Sequence, residues 1–246
     1  MGIGAKAWKV TKEKGVSYLF AAAYRKIRNK TSISFWYNYY RFFKSRTKFT
    51  FQGKALRYFY HQYNMTWVNE RTIEIPIIQS IISERDWRIL EIGNVLSHYF
   101  KTNHEIVDKY ERGERVITQD VTEISLPKQY NLIISISTME HVGWDENPTT
   151  RQTINEPQKI LRAISKLEEL VKPSGRIVFT MPLGYNPNLD LLIRKRVLPF
   201  TQQSFLKRVT KDNRWVETTW KDVEQVKFNK PFPFANAIIV GIIDVG

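Results

Sequence analysis

From residue 88 onward, short apolar runs alternate with longer stretches of mixed polarity. Arg88–Ile92 (RILEI) is a short apolar run ending at Gly93, and Glu105–Val107 is a second, ending at Asp108. Arg115–Ile117 is a third, followed by Asp120 and Val121. Asn131–Ile136 (NLIISI) is continuous and bounded by polar residues, the pattern of a strand covered on both faces. Ile160, Leu161, Ile164, Leu167, Leu170 and Val171 recur at helical spacing, and Pro173 and Gly175 end that helix. Arg176–Thr180, Val223–Phe228 and Ala237–Ile243 are read as further strands. Strands alternating with helices predict an α/β fold: a doubly wound, mostly parallel sheet with crossovers of one hand. Such sheets bind ligands at the carboxyl ends of their strands, near the switch in strand order.

Upstream, Lys48–Phe51 alternate, Gln52-Gly53 can turn, and a second apolar-rich run follows, so residues 48–60 predict a hairpin. Glu74 to Ile82 predicts a helix with Ile75, Ile78 and Ile82 on one face and Pro76 in its first turn. Just before it, Tyr63, Trp67, Asn69, Glu70 and Arg71 crowd into nine residues. They suit a lid or a substrate contact; a polar turn before a core helix is the plainer reading.

Charge divides the chain. Residues 1–60 hold 14 Lys/Arg against one acid, Glu13, for +13, while residues 61–246 hold 24 against 23, for +1. This predicts a basic, aromatic arm over 1–60 and a nearly neutral catalytic or binding domain over 61–246. In the arm, Phe35, Trp36, Tyr37, Tyr39, Tyr40, Phe42 and Phe43 lie among Arg28, Lys30, Arg41, Lys44, Arg46 and Lys48. Rings interleaved with cations suit an anionic membrane surface, stacking on nucleic acid, or a helix whose cations are simply solvated. Val16 to Tyr24 is apolar but too short to span a bilayer and lacks a clean cleavage site before Arg25. An amphipathic helix lying on a surface is expected over about residues 5–30. The chain has no cysteine, which excludes disulfides and thiolate chemistry and suits a reducing, cytoplasmic compartment.

The strand ends carry the candidate chemistry. Gly93 lets a ligand approach the backbone. Asp108, at the end of the second strand, is placed to accept from the hydroxyls of a ribose. Asp120 can accept from an exocyclic amine, and the Val121 amide can donate to a ring nitrogen. Together they describe a nucleoside pocket. No G-x-G-x-x-G or G-x-x-x-x-G-K-[ST] phosphate cradle is present, which argues against NAD and ATP.

The segments RILEIGN (88–94), HEIVDKYE (104–111), ITQDVTEISLP (117–127), YNLIISISTMEHVGWDE (130–146) and LVKPSGRIVFTMP (170–182), in this order, resemble the core of class I S-adenosylmethionine-dependent methyltransferases over roughly residues 85–245. The resemblance implies a Rossmann-like methyltransferase fold whose last strand is antiparallel, and S-adenosylmethionine as cofactor. It implies that Glu91, Gly93 and Asn94 meet the methionine moiety, Asp108 the ribose, and Asp120 and Val121 the adenine. Ser135 and Ser137 would border the sulfonium. The family's second and third glycines are replaced by Val95 and Ser97, and Asn94, which tolerates positive φ, is expected to recover part of the turn.

Methyl transfer requires an aligned nucleophile, exclusion of water and sometimes removal of a proton. His141 is the candidate base and Glu140 its neighbour; both equally suit the start of a helix. Asp145 and Glu146 read as surface. His61, His98 and His104 are scattered, with no metal-site spacing, and His104 is expected to face solvent or a neighbouring loop. Tyr185, Asn186, Arg194, Lys195, Arg196, Arg208, Lys211 and Arg214 lie where such folds insert recognition elements, and their charge fits an anionic acceptor. The expected function is therefore methyl transfer to a small-molecule or glycan acceptor, with the arm over residues 1–50 at an anionic membrane. An RNA methyltransferase and a non-catalytic adaptor are the competitors.

Overall fold

The computed structural model describes residues 31–127, 129–144 and 155–246. The expected helix over residues 5–30, Asp145 and Glu146 lie outside the described residues. The chain forms two compact units that divide between Ser45 and Arg46. In the first, residues 31–43 are helical.

The second unit opens with a hairpin, β1 (Lys48–Phe51) and β2 (Lys54–Arg57), paired antiparallel with Phe51 opposite Lys54. Helix α1 (Arg71–Ile82) follows. It starts three residues before the expected position, so Pro76 lies in its interior rather than its first turn. A proline there has no N–H for the carbonyl four residues back. That carbonyl, on Thr72, accepts from the Phe59 amide instead (2.9 Å), so the lost helical bond becomes a tie to the chain after the hairpin.

Next come β3 (Ile89–Ile92), β4 (Glu105–Asp108), β5 (Val116–Thr118), β6 (Tyr130–Ile136), α2 (Lys159–Leu170), β7 (Val171–Pro182), α3 (Pro187–Arg194), β8 (Gln202–Arg208), β9 (Trp215–Thr218), α4 (Trp220–Val223) and β10 (Ala237–Asp244). The eight-stranded sheet has the order β5-β4-β3-β6-β7-β10-β8-β9. The strands from β5 to β7 run parallel. β10 lies antiparallel between β7 and β8. The order reverses between β3 and β6, which is where a ligand crevice is expected. This is the Rossmann-like methyltransferase fold, with β9 added antiparallel at one edge.

Both faces of the sheet are covered. Along β6, Leu132, Ile134 and Ile136 pack with Ile73, Ile77 and Ile78 of α1 and with Phe49 and Phe51 of the hairpin. Ile133 points the other way, to Ile160, Ile164 and Leu167 of α2. Ile73, Ile77, Ile78, Ile133 and Leu132 are fully buried, each contributing about 1.5–3 kcal/mol.

Three expectations are corrected. Strand and helix do not alternate through residues 93–115: β3 and β4 are joined by a loop holding only a short 3₁₀ turn, Leu96–His98, and β4 and β5 by a loop. Tyr99 and Phe100 pack their rings on Phe59 (5.4 Å each), so this loop is held by aromatic contacts instead of a helix. Val223–Phe228 is not a strand; Trp220–Val223 is a helical turn with a Thr219–Asp222 capping box. The basic stretch read as a recognition insert contains β8 and β9, and Arg208 is buried there, donating to the carbonyls of Val68, Pro233, Thr210 and Lys211. That guanidinium holds loops together and does not face an acceptor.

Candidate functional site

A cavity of about 310 Å³ opens at the carboxyl ends of β3, β4 and β6, beside the reversal in strand order. It brings together Gly93, Asp108, Asp120, Val121, Ser137 and His141, drawn from the ends of four strands, β3, β4, β5 and β6. Ile92, Val107, Val121 and Val142 supply apolar walls, the lining a flat base requires.

Gly93 has φ +84°, and a Cβ there would lie 2.0 Å from the Thr138 hydroxyl oxygen. Only glycine fits, because the chain after β3 turns in the left-handed region against the loop after β6. Asn94 does not share the positive φ expected of it; Gly93 alone makes the turn. The Asn94 amide donates to Oδ2 of Asp108 (3.0 Å), while the Tyr110 and Glu111 amides donate to Oδ1 (2.8 and 2.7 Å). A carboxylate has about four lone-pair sites, so Asp108 keeps one, on Oδ2.

Asp120 differs. Its Oδ1 accepts from the amide and the hydroxyl of Thr122 (3.0 and 2.8 Å), and its Oδ2 accepts from Lys109 and Lys159 (3.0 Å each). Burial alone would raise its pKa; the bonds from Thr122 and the two lysines outweigh burial and hold it well below the usual carboxylate range. All four lone-pair sites are used, so in this arrangement Asp120 cannot also accept from an exocyclic amine. Asp120 orders the cavity wall, tying the loop after β5 to the start of α2.

Glu91 does not line the cavity. It is fully buried, its Oε1 accepts from the Val95 and Leu96 amides (2.9 and 2.8 Å), and its Oε2 meets His104 at 2.7 Å. The carboxylate therefore does for this loop what further glycines do elsewhere: it fixes the turn, by satisfying amides. His104 is paired with it rather than facing solvent. Ser135 is buried in β6 away from the cavity.

The residues proposed as a lid are structural. Trp67 is buried; Asn69 accepts from the Arg71 amide and its own carbonyl accepts from Asn213; Glu70 accepts from the Ala235 amide. Tyr63 stacks on His98 at 4.6 Å. Arg71 joins Glu74 of α1 at 2.5 Å, and Glu74 in turn accepts from the Ser137 hydroxyl (2.7 Å) at the cavity wall. Burial would lower the Arg71 pKa, but Glu74, Glu70 and Glu140 around it hold it protonated. Burial pushes the Tyr99 hydroxyl beside this group up to about 12.

His141 faces the cavity with Nδ1 3.2 Å from the Tyr185 hydroxyl and Nε2 3.7 Å from Glu140. Glu140 is 1% exposed, with one carboxyl oxygen unpaired among the described residues, and Asn186 holds its backbone carbonyl at 2.8 Å. Burial, reinforced by Glu74 and Glu70, raises its pKa well above the usual range. Lys109, Lys159 and Thr138 line the cavity, and Glu74 and Tyr185 bond to its Ser137 and His141; none of these roles was singled out from the sequence. Lys159 was invisible because it lies 39 residues from Asp120; Lys109, adjacent to Asp108, was the one readable signal. Among the described residues, no cluster of His, Asp and Glu side chains is placed to hold a metal ion.

No family model matches the chain, and no curated protein matches it. Among solved structures it is similar to the N-methyltransferase NodS of Bradyrhizobium japonicum WM9 in complex with S-adenosyl-L-homocysteine (10% identity, 72% of this chain and 87% of that one, TM-score 0.44). It is similar to the 1,6-didemethyltoxoflavin-N1-methyltransferase of Burkholderia thailandensis with bound 1,6-didemethyltoxoflavin and S-adenosylhomocysteine (13%, 80% and 98%, 0.43). A third is an S-adenosylmethionine-dependent methyltransferase of Clostridium acetobutylicum ATCC 824 (12%, 69% and 89%, 0.35).

Proposed function

We propose that this chain is an S-adenosylmethionine-dependent methyltransferase acting on a small-molecule or glycan acceptor in the cytoplasm. The observation that carries the reading is the cavity at the reversal of strand order, where Gly93 makes the left-handed turn after β3 and Asp108 keeps one lone pair on Oδ2. At about 310 Å³ the cavity lies at the small end of the usual range for ligand sites, roughly 300–1,000 Å³. Its apolar walls and Asp108 fit the adenosine half of the cofactor. Asp108 would hold a ribose hydroxyl and Val107 and Val121 would enclose the base; Ser137, braced by Glu74, would stand at the amino-acid end.

When bound, the cofactor supplies a methyl group already activated on its sulfonium. The protein's work is then to position the acceptor, exclude water and receive a proton. His141 is the group at the cavity with a ring nitrogen suited to that transfer, and Tyr185 orients the ring.

Calorimetric titration with S-adenosylhomocysteine tests the reading. The expected result is saturable binding that weakens about 10–100-fold in Asp108→Ala, the worth of a hydrogen bond to a charged group. No heat and no thermal stabilisation by the ligand would establish the non-catalytic adaptor instead. The fully engaged Asp120 is the observation that favours that second reading.

A further inference from the structure

We infer that the helix over residues 31–43 is a lipid-surface anchor that seats its aromatic ridge among the headgroups of an anionic membrane. Phe35 is 65% exposed, Trp36 46%, Tyr39 36%, Phe42 72% and Phe43 77%. At about 100° per residue these five share an arc of about 120°. The opposite side carries Ile33, Tyr37 and Tyr40, which are half-buried or buried. A helix that buries one face normally turns polar residues outward; this one turns out its largest rings. Exposed apolar patches of this kind mark an interaction surface.

The geometry of the rings distinguishes lipid from nucleic acid. Phe35 meets Trp36 edge to face at 5.6 Å, Trp36 meets Tyr39 edge to face at 5.7 Å, and Tyr39 meets Phe43 at 5.5 Å. Phe35, Trp36, Tyr39 and Phe43 close on one another into a continuous ridge rather than standing apart as separate stacking platforms. Such a ridge suits insertion at the depth where amphipathic rings reside in a bilayer. Charge complementarity selects the lipid. The same unit carries Arg41, which lies over the Tyr37 ring, and Lys44, and no acidic residue occurs between positions 31 and 60. Basic residues next to a shallowly inserted apolar face favour anionic headgroups over neutral ones. The described residues include no helix long and apolar enough to cross a membrane, so the contact proposed is with one leaflet. This inference rests on the arm alone and is independent of the methyltransferase reading.

The test is sedimentation of the full chain with vesicles of phosphatidylcholine alone and of phosphatidylcholine mixed with phosphatidylserine. The wild type is expected to partition to the mixed vesicles and to leave them as salt rises. Phe42→Ser/Phe43→Ser is expected to weaken partition by roughly tenfold or more. Both side chains are exposed, so circular dichroism should show the fold unchanged; Arg41→Glu/Lys44→Glu, which spares the ridge, provides a second variant that should also lose the anionic preference. Equal partition of wild type and Phe42→Ser/Phe43→Ser overturns the inference. So does binding of a single-stranded RNA oligonucleotide with no binding to vesicles. A concentration-dependent dimer, abolished by the same double variant and accompanied by no vesicle binding, would assign the ridge to a second copy and overturn it too.

Discussion

Gly93 and Asp108 show how much chemistry one residue can fix. The Cβ that any other residue would add at 93 meets the Thr138 hydroxyl, and the backbone there is left-handed. Gly93→Ala should therefore cost about 1–3 kcal/mol in urea denaturation and abolish cofactor binding. Adding Thr138→Ala removes the collision but not the φ, so it should restore stability only in part. Both Gly93 and Asp108 were legible in the sequence, because each directly follows or ends an apolar run and the fold class says where such residues go. Asp120 was legible as a position but not as a chemical state. Its lone pairs are taken by Thr122, Lys109 and Lys159, and the Lys159 contact comes from a different element, which no local pattern reveals.

Among elements, the strands were the readable part: β3, β4, β5, β6, β7 and β10 lie where apolar runs predicted them, and α2 where its periodicity did. For the inner strands the cause is burial on both faces, whereas β5, at the sheet edge, is only half-buried. The loop from Gly93 to His104 was not readable, because its form depends on Glu91, whose carboxylate satisfies two amides of the turn and one histidine. Glu91→Ala leaves those amides unpaired and should destabilise by about 2–4 kcal/mol; Glu91→Gln keeps an acceptor at the same place and should lose less than half of that, as read by chemical denaturation. The brace from α1 is a second case. Removing Glu74 strands the buried Arg71 guanidinium, so Glu74→Ala should cost about 3–5 kcal/mol. Glu74→Gln, which still accepts from Ser137, should retain more of the ligand affinity than of the stability.

For the whole molecule, the buried Glu140 predicts a pH dependence. Its folded pKa stands well above the ordinary value of 4.5, because burial and then Glu74 disfavour its charge. The folded state thus holds a proton that the unfolded state releases, and stability is present in full below about 4.5 and falls as pH rises toward the folded pKa. Thermal melts of Glu140→Gln, which is neutral throughout, should show less of that decline, with burial of Asp190, pushed up to about 6, and of Glu70 supplying the remainder, so that the variant gains on the wild type from pH 5 upward. A wild-type curve flat across this window, parallel to that of the variant, would show that Glu140 is charged in the fold.

The position of β10 has a consequence for how the molecule is made. It pairs with β7 on one side and β8 on the other, so a strand made after both of them is the seam joining the two parts of the sheet. While the ribosome is still translating residues before 237, β8 and β9 have only each other, and β7 offers an open edge rich in apolar side chains. Closure waits for β10, and during that interval the nascent protein is exposed to pairing with other strands.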